Sequence, residues 1–144
     1  MNFTVLDHYS GFFKNNFIKK DINQIAILKQ IQSTWDDFNK RSMFFSKSKI
    51  LGVYVHGSVG TGKTFLLNLF SQFSKQGKKI HFNHLMNDVH NAINTKGNKE
   101  KKLESFVKEL SKNIKILFID ELHIFNIVDA LIIKNFFHLL EENL

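Results

Sequence analysis

The sequence predicts an α/β protein with a parallel β-sheet, and three observations lead to this fold class. Apolar, strand-like segments alternate with segments of helical periodicity along the 144 residues, a pattern typical of parallel strands joined by helical crossovers. A glycine-rich loop lies between one such strand and one such helix. A second strand-like segment is almost continuously apolar, as in strands buried on both faces, and ends in two carboxylates.

The order of the elements follows from the spacing of the apolar residues. Residues 1–20 are predicted to be irregular, with aromatic anchors at Phe12, Phe13 and Phe17. A helix is predicted to begin at Asp21, because Asp21 and Gln24 are spaced as in a capping box. The later elements are predicted as a strand at 50–56, a loop at 57–62, a helix at 63–74, a strand at 79–83, a helix at 84–94, a helix around 103–110, a strand at 114–119 and a helix at 127–142.

The glycine-rich loop carries the phosphate-binding pattern Gly-x-x-x-x-Gly-Lys-[Ser/Thr]. Its glycines let several backbone N–H groups turn toward one anion, and the helix that follows directs its positive end to the same place. Lys63 is expected to reach the β- and γ-phosphates of a nucleotide, and the Thr64 hydroxyl to ligate Mg²⁺. The predicted nucleotide-binding residues are Gly57, Ser58, Val59, Gly60, Thr61, Gly62, Lys63 and Thr64.

The acidic pair Asp120-Glu121 follows the apolar strand at 114–119, which is the Walker-B arrangement. Ligands of open α/β sheets bind at the carboxyl ends of the strands. Asp120 is therefore expected to hold Mg²⁺ together with Thr64, and Glu121 to orient or deprotonate the attacking water. The pair favours an ATPase over a GTPase, with Glu121 and Lys63 as catalytic residues and with ATP and Mg²⁺ as cofactors. Asp21 and Gln24 have a second interpretation besides a helix cap, which places them near the adenine.

Composition narrows the function classes. The net charge is +7, from 20 Lys and Arg against 13 Asp and Glu. The lysines cluster in predicted loops without a helix-turn-helix, a finger or a stacking platform, so a nucleic-acid partner is not indicated. The sequence has no apolar run long enough to span a membrane, no secretory signal and no cysteine, and we expect a cytoplasmic protein.

The histidine and arginine residues are weaker indicators of function than the two motifs. His81, His84 and His90 lie close together in the sequence, but their spacing is not that of a zinc site. His123 lies two residues after Glu121 and is a candidate sensor of the γ-phosphate. Arg41 is the only arginine, and its place before the phosphate loop makes it a poor candidate for an arginine finger.

Together these motifs resemble one family of AAA+ P-loop ATPases, which comprises bacterial ZapE and its mitochondrial relatives of the lactation-elevated type. The most specific segment is residues 81–90, His-Phe-Asn-His-Leu-Met-Asn-Asp-Val-His, which is similar to the family pattern His-Phe-His-x-Phe-Met-x-x-Val-His. Residues 119–130 resemble the family's Walker-B segment, although His123 replaces the usual Gln and Phe125-Asn126 replace Thr-Asp. Asp21-x-x-Gln24 resembles the family's helix entry.

The resemblance implies an AAA+-like three-layer sandwich that is incomplete at its C-terminus. It implies a helical lead-in at 1–48 and a partial P-loop core at 49–144, with the polar-sensor strand and the arginine finger outside these residues. The implied function is ATP–Mg²⁺ binding, with hydrolysis if a missing C-terminal part completes the core. The implied partners are that complement, an intact homologue and a component of the division machinery.

Three alternatives stay open. The chain could act as a non-catalytic nucleotide-binding or interaction fragment. It could be a helicase-loader-like ATPase, which has similar phosphate-loop and Walker-B segments but lacks the segment at 81–90. It could also be a degraded gene product without a function.

Overall fold

The computed structural model describes residues 4–14, 21–41, 52–74 and 77–143. Within these ranges the elements are α1 (Val5–Lys14), α2 (Ile22–Arg41), α3 (Lys63–Phe73), β1 (Gly77–His81), α4 (Phe82–Ile93), α5 (Lys99–Asn113), β2 (Ile116–Asp120) and α6 (Ile127–Asn143). The chain divides into two compact units, Met1–Phe73 and Ser74–Leu144. Of the helices described, none has the length and apolar character needed to cross a membrane.

Helix α1 shows that the prediction of irregular structure for residues 1–20 is wrong for residues 5–14, while residues 1–3 and 15–20 lie outside the described part of the chain. Its first turn is capped reciprocally, because the Asp7 carboxylate accepts the Thr4 N–H at 2.9 Å while the Thr4 hydroxyl oxygen accepts the Asp7 N–H at 3.2 Å. These hydrogen bonds from Thr4, the backbone one first, hold the pKa of Asp7 below its ordinary value. Val5 and Tyr9, four residues apart, are almost fully buried. Two apolar residues are too short a stripe for a helical period to be recognised among the neighbouring aromatic residues of the sequence.

Helix α2 begins where the sequence predicts it, with the Asp21 carboxylate accepting the N–H groups of Asn23 at 2.8 Å and Gln24 at 3.3 Å. The predicted capping box is only half correct, because the Gln24 side chain bonds to other groups. Among the predicted aromatic anchors, Phe12 contacts Phe65 of α3 edge-on, with ring centroids 5.4 Å apart. The side chain of Phe13 and the whole of Phe17 lie outside the described residues.

The segment before the glycine-rich loop differs from the prediction of a strand at 50–56. Residues 52–58 form no strand, and residues 50–51 lie outside the described part of the chain. A strand is stabilised by ladder hydrogen bonds to a neighbour, and an isolated extended segment lacks them. The sheet of the described residues contains β1 and β2 alone.

The second unit contains this parallel sheet, in which His81 is in register with Asp120. The predicted α/β class with parallel pairing is thus confirmed at this level. Strand β1 begins two residues earlier than predicted and ends before Phe82, which starts α4. Helix α5 begins at Lys99 because the Asn98 side chain caps it, accepting the N–H groups of Glu100 and Lys101. The charged composition of residues 95–101 concealed this cap.

Helices α4, α5 and α6 share one hydrophobic core. Its buried members are Phe82, Leu85, Met86, Val89, Ile93, Leu103, Val107, Ile133, Phe136 and Leu140. Partly buried residues of both strands, including Ile80, Leu117 and Ile119, pack against this cluster. The core therefore holds β2 in place, and with it the acidic pair at the end of that strand.

Candidate functional site

The loop at residues 57–62 has the backbone conformation that its glycines predict. The φ angle is positive at Gly57, Gly60 and Gly62, with values of 154°, 84° and 83°, and a side chain at Gly60 or Gly62 would be strained in this conformation. The Gly62 carbonyl accepts the Leu66 N–H at 3.0 Å, so α3 begins directly after the loop. The first N–H groups of any α-helix lack intrahelical acceptors, which suits such a terminus to anions.

Lys63 folds back over this loop. Its ammonium donates to the carbonyls of Gly57 and Ser58, each at 2.7 Å, while the Thr61 hydroxyl donates to the Ser58 carbonyl at 3.0 Å. Residues 57–64 contain no acidic side chain. The loop therefore presents a cation, and its bonds to two neutral carbonyls leave that positive charge uncompensated within the loop.

The loop is open to solvent at its tip, where Val59 is fully exposed. Thr64 is the second residue of α3 and its side chain is also exposed. An accessible cationic loop followed by a hydroxyl group suits a triphosphate and a hard divalent cation, because Mg²⁺ prefers oxygen ligands.

Gln24 joins the phosphate loop to the N-terminal helices, a role that the sequence analysis missed. Its amide N–H donates to the Thr61 carbonyl at 3.1 Å, and its amide oxygen accepts the Tyr9 hydroxyl at 2.7 Å. Tyr9 is only 1% exposed, and burial raises the pKa of its hydroxyl. The spacing of Asp21 and Gln24 indicated a cap and gave no signal for a contact 37 residues away.

Asp120 is the last residue of β2 and is buried, with 7% of its surface exposed. The Lys79 ammonium lies 3.2 Å from its Oδ2, and the Glu121 N–H donates to its Oδ1 at 3.2 Å. Lys79 precedes His81, the register partner of Asp120, by two residues, so both lysine and histidine lie on one face of β1. Lys79 offsets the buried carboxylate charge, and sequence reasoning missed it because strand register is not visible in a single sequence.

Glu121 leaves the strand in a left-handed conformation, with φ of 57°, and its side chain is exposed. This conformation costs a residue with a side chain about 1–3 kcal/mol, and such strain clusters at functional sites. The two carboxylates differ in environment, since Asp120 is buried beside a cation and Glu121 faces solvent. This difference in environment is compatible with different roles for Asp120 and Glu121.

His90 of α4 is tied to the start of α6. Its Nε2 lies 2.8 Å from Asp129 Oδ1. The Asn126 side chain donates to Asp129 Oδ2 at 2.6 Å and accepts the Asp129 N–H at 2.8 Å. This network fixes the far end of the segment that follows Glu121. It also joins the two segments, 81–90 and 119–130, that carry the family resemblance.

The other histidines make weaker contacts. The rings of His81 and His84 are 6.2 Å apart, and the exposed His123 lies beside Phe125 with ring centroids 6.3 Å apart. In the part of the chain that the structure describes, no three or more His, Cys, Asp or Glu residues are arranged to hold a metal ion.

Replacing His90 with alanine is expected to lower the free energy of unfolding by about 1–2 kcal/mol, because the helix α4 contact to Asp129 is lost. Urea denaturation followed by circular dichroism measures this change. His84→Ala is the matched control, since His84 is exposed on the same helix. Equal losses of unfolding free energy in the two variants would contradict a stabilising contact between His90 and Asp129.

A glycine-rich loop with a lysine, a helix that follows it and a strand that ends in two carboxylates are features typical of P-loop ATPases. The chain belongs to the AFG1-like ATPase family, whose model matches residues 9–143. The predicted resemblance to ZapE and the lactation-elevated proteins is confirmed by the relatives found.

Two curated relatives illustrate the similarity. Lactation elevated protein 1 homolog B of Danio rerio is 33% identical over 99 residues, which are 60% of this chain and 20% of that protein. Cell division protein ZapE of Escherichia coli K12 is 29% identical over 86 residues, which are 58% of this chain and 23% of that protein. The matched region is thus about a fifth of the length of these relatives. No solved structure matches the chain.

Proposed function

We propose that this chain binds ATP with Mg²⁺ at residues 57–64, as the phosphate-binding part of an AFG1-like ATPase. The observation that carries the proposal is the Lys63 ammonium folded over a loop of three positive-φ glycines at the start of α3. The proposed fold is the AAA+-like three-layer sandwich, with a helical lead-in at 1–48 and a P-loop core at 49–144. The proposed location is the cytoplasm.

Each residue has a distinct role in this proposal. The backbone N–H groups of residues 57–64 bind phosphate oxygens, and Lys63 exchanges its two carbonyl partners for the β- and γ-phosphates. Thr64 and Asp120 would hold the Mg²⁺, which supplies charge neutralisation at the phosphates. Their convergence on one ion is part of the proposal, as is that of Lys63 and Asp120 on one nucleotide.

Glu121 is proposed to accept a proton from the attacking water. Its exposed carboxylate is not bound by the cation that pairs with Asp120, so it is available as a base. Hydrolysis is proposed to require a C-terminal complement or an intact homologue that supplies the sensor and the arginine finger. A component of the division machinery is a further proposed partner, because one relative is named as a cell division protein.

Replacing Glu121 with glutamine is expected to leave ATP affinity unchanged and to lower turnover by about 10²–10⁴-fold, the usual contribution of a general base. Phosphate release is measured for the chain alone and mixed with the C-terminal portion of the E. coli relative, and ATP binding is measured with a fluorescent analogue. Glu142→Gln is the matched control, because Glu142 is an exposed glutamate near the end of α6. Unchanged turnover in Glu121→Gln would contradict the assigned role.

A non-catalytic interaction module is the second candidate function. It is favoured by exposed apolar side chains after the acidic pair, with Phe125 84%, Ile127 77% and Leu131 57% exposed. Such patches mark surfaces for partners. ATP binding without turnover in any mixture would favour this candidate over the ATPase.

A further inference from the structure

We propose that Gln24 is a positioning residue of the phosphate loop, which holds the Thr61 carbonyl outward so that the Gly62 N–H faces the bound phosphate. This inference rests on the proposed function, since it assigns a cause to the shape of the same loop. It concerns the first unit alone, where Tyr9, Gln24 and the loop are all described.

The orientation of the Gln24 amide is determined by its two partners. The Thr61 carbonyl can only accept a hydrogen bond, so the amide nitrogen must face it, at 3.1 Å. The amide oxygen then faces Tyr9, whose hydroxyl donates to it at 2.7 Å. Since Tyr9 is 1% exposed, water does not compete freely for this bond. Tyr9 thus fixes the amide, and the amide fixes the Thr61 carbonyl.

The direction of the Gly62 N–H follows from peptide geometry. The described chain contains no cis peptide bond, and in a trans peptide the carbonyl and the N–H point in opposite directions. A Thr61 carbonyl held toward α2 therefore turns the Gly62 N–H away from α2. Without this anchor the peptide between Thr61 and Gly62 has a second orientation, because a glycine follows it and tolerates either sign of φ.

The close approach of Gln24 also explains the residue at position 62. A Cβ on Gly62 would lie 2.6 Å from Gln24 Nε2, so a side chain there would push the Gln24 amide aside, and it would also be strained by the φ of 83°. The alternative that Gln24 reads the adenine is less well supported, because both polar ends of its side chain already have partners within the first unit.

The test replaces Gln24 with glutamate, which has the same shape but no donor when ionised. Affinity for a fluorescent ATP analogue is measured with Mg²⁺ at about pH 7.5 and about pH 4, which lie on either side of the ordinary pKa of a glutamate carboxyl, about 4.3. At the higher pH we expect about tenfold weaker binding than in the wild type, because the Thr61 carbonyl loses its donor and faces a carboxylate that repels it. At the lower pH the difference narrows, because a protonated carboxyl donates to Thr61.

Gln30→Glu is the matched control, since it introduces the same charge at an exposed position of α2. Gln24→Met is the second variant, and it should bind about tenfold more weakly at both pH values because it has no donor in either state. Equal affinities of Gln24→Glu, Gln24→Met and Gln30→Glu would overturn the inference, as would a loss in Gln24→Glu that does not narrow at low pH. A purely structural role would lower the melting temperature without this pH-dependent difference in affinity.

Failure of the proposed function has a different signature. In that case the wild type fails to bind the analogue, or Lys63→Ala binds it as the wild type does. If the wild type binds and Lys63→Ala does not, the phosphate loop is functional and the Gln24 variants test the positioning role alone.

Discussion

Replacing Lys63 with alanine is expected to abolish ATP binding, with affinity falling about a hundredfold or more, the equivalent of about 2.7 kcal/mol. The variant removes the ammonium that is proposed to contact the β- and γ-phosphates, and charge-assisted hydrogen bonds to phosphate are among the strongest in proteins. Isothermal titration calorimetry with Mg²⁺–ATP measures the affinity.

Lys29→Ala is the control for this experiment, because Lys29 is an exposed lysine of α2 in the same unit. It removes the same formal charge from the chain but not from the loop, so we expect ATP affinity within about twofold of the wild type. Equal affinities of Lys63→Ala and the wild type would exclude residues 57–64 as the nucleotide site.

Replacing Phe136 with alanine is expected to lower the free energy of unfolding of the second unit by about 3–5 kcal/mol. Phe136 of α6 is fully buried in the core that α4, α5 and α6 share, and its ring lies 6.5 Å from that of Phe106 in α5. Removing the ring leaves a cavity in the core that holds β2. Urea denaturation measures the loss.

Phe137→Ala is the matched control for the core. Phe137 is the next residue of α6 and is 41% exposed, so its replacement is expected to cost about 1 kcal/mol or less. Similar losses in the two variants would contradict the assignment of Phe136, rather than Phe137, to the shared core.

The sequence predicted the elements whose apolar residues have one clear period. Helix α3 lies within one residue of its predicted bounds, strand β2 begins two residues later and ends one residue later than predicted, and α6 begins at the predicted residue 127. Helix α1 was missed because its stripe is short and its cap, Thr4 with Asp7, was not recognised. The strand predicted at 50–56 was wrong for residues 52–56 because strand propensity does not provide a hydrogen-bonding neighbour.

In the candidate site too, the local features were predicted from the sequence and the long-range contacts were not. The loop conformation was predicted because glycine spacing alone constrains a local turn. Three contacts were not predicted, because each joins residues more than thirty positions apart. They are those of Gln24 with Thr61, Lys79 with Asp120, and His90 with Asp129. Their partners depend on strand register and helix packing, which one sequence does not reveal. The assigned roles of Lys63, Thr64, Asp120 and Glu121 remain predictions.

A double-mutant cycle tests most directly the central proposal, which is that Thr64 and Asp120 hold the same Mg²⁺ ion of a bound Mg²⁺–ATP. Mg²⁺–ATP affinity is measured for the wild type, Thr64→Val, Asp120→Asn and the double variant. We expect about a tenfold loss in each single variant and a loss in the double variant well short of a hundredfold, because two ligands of one ion are coupled. The proposal would be contradicted if Asp120→Asn bound Mg²⁺–ATP as tightly as the wild type. It would also be contradicted if the loss of affinity in the double variant equalled the product of the two single losses.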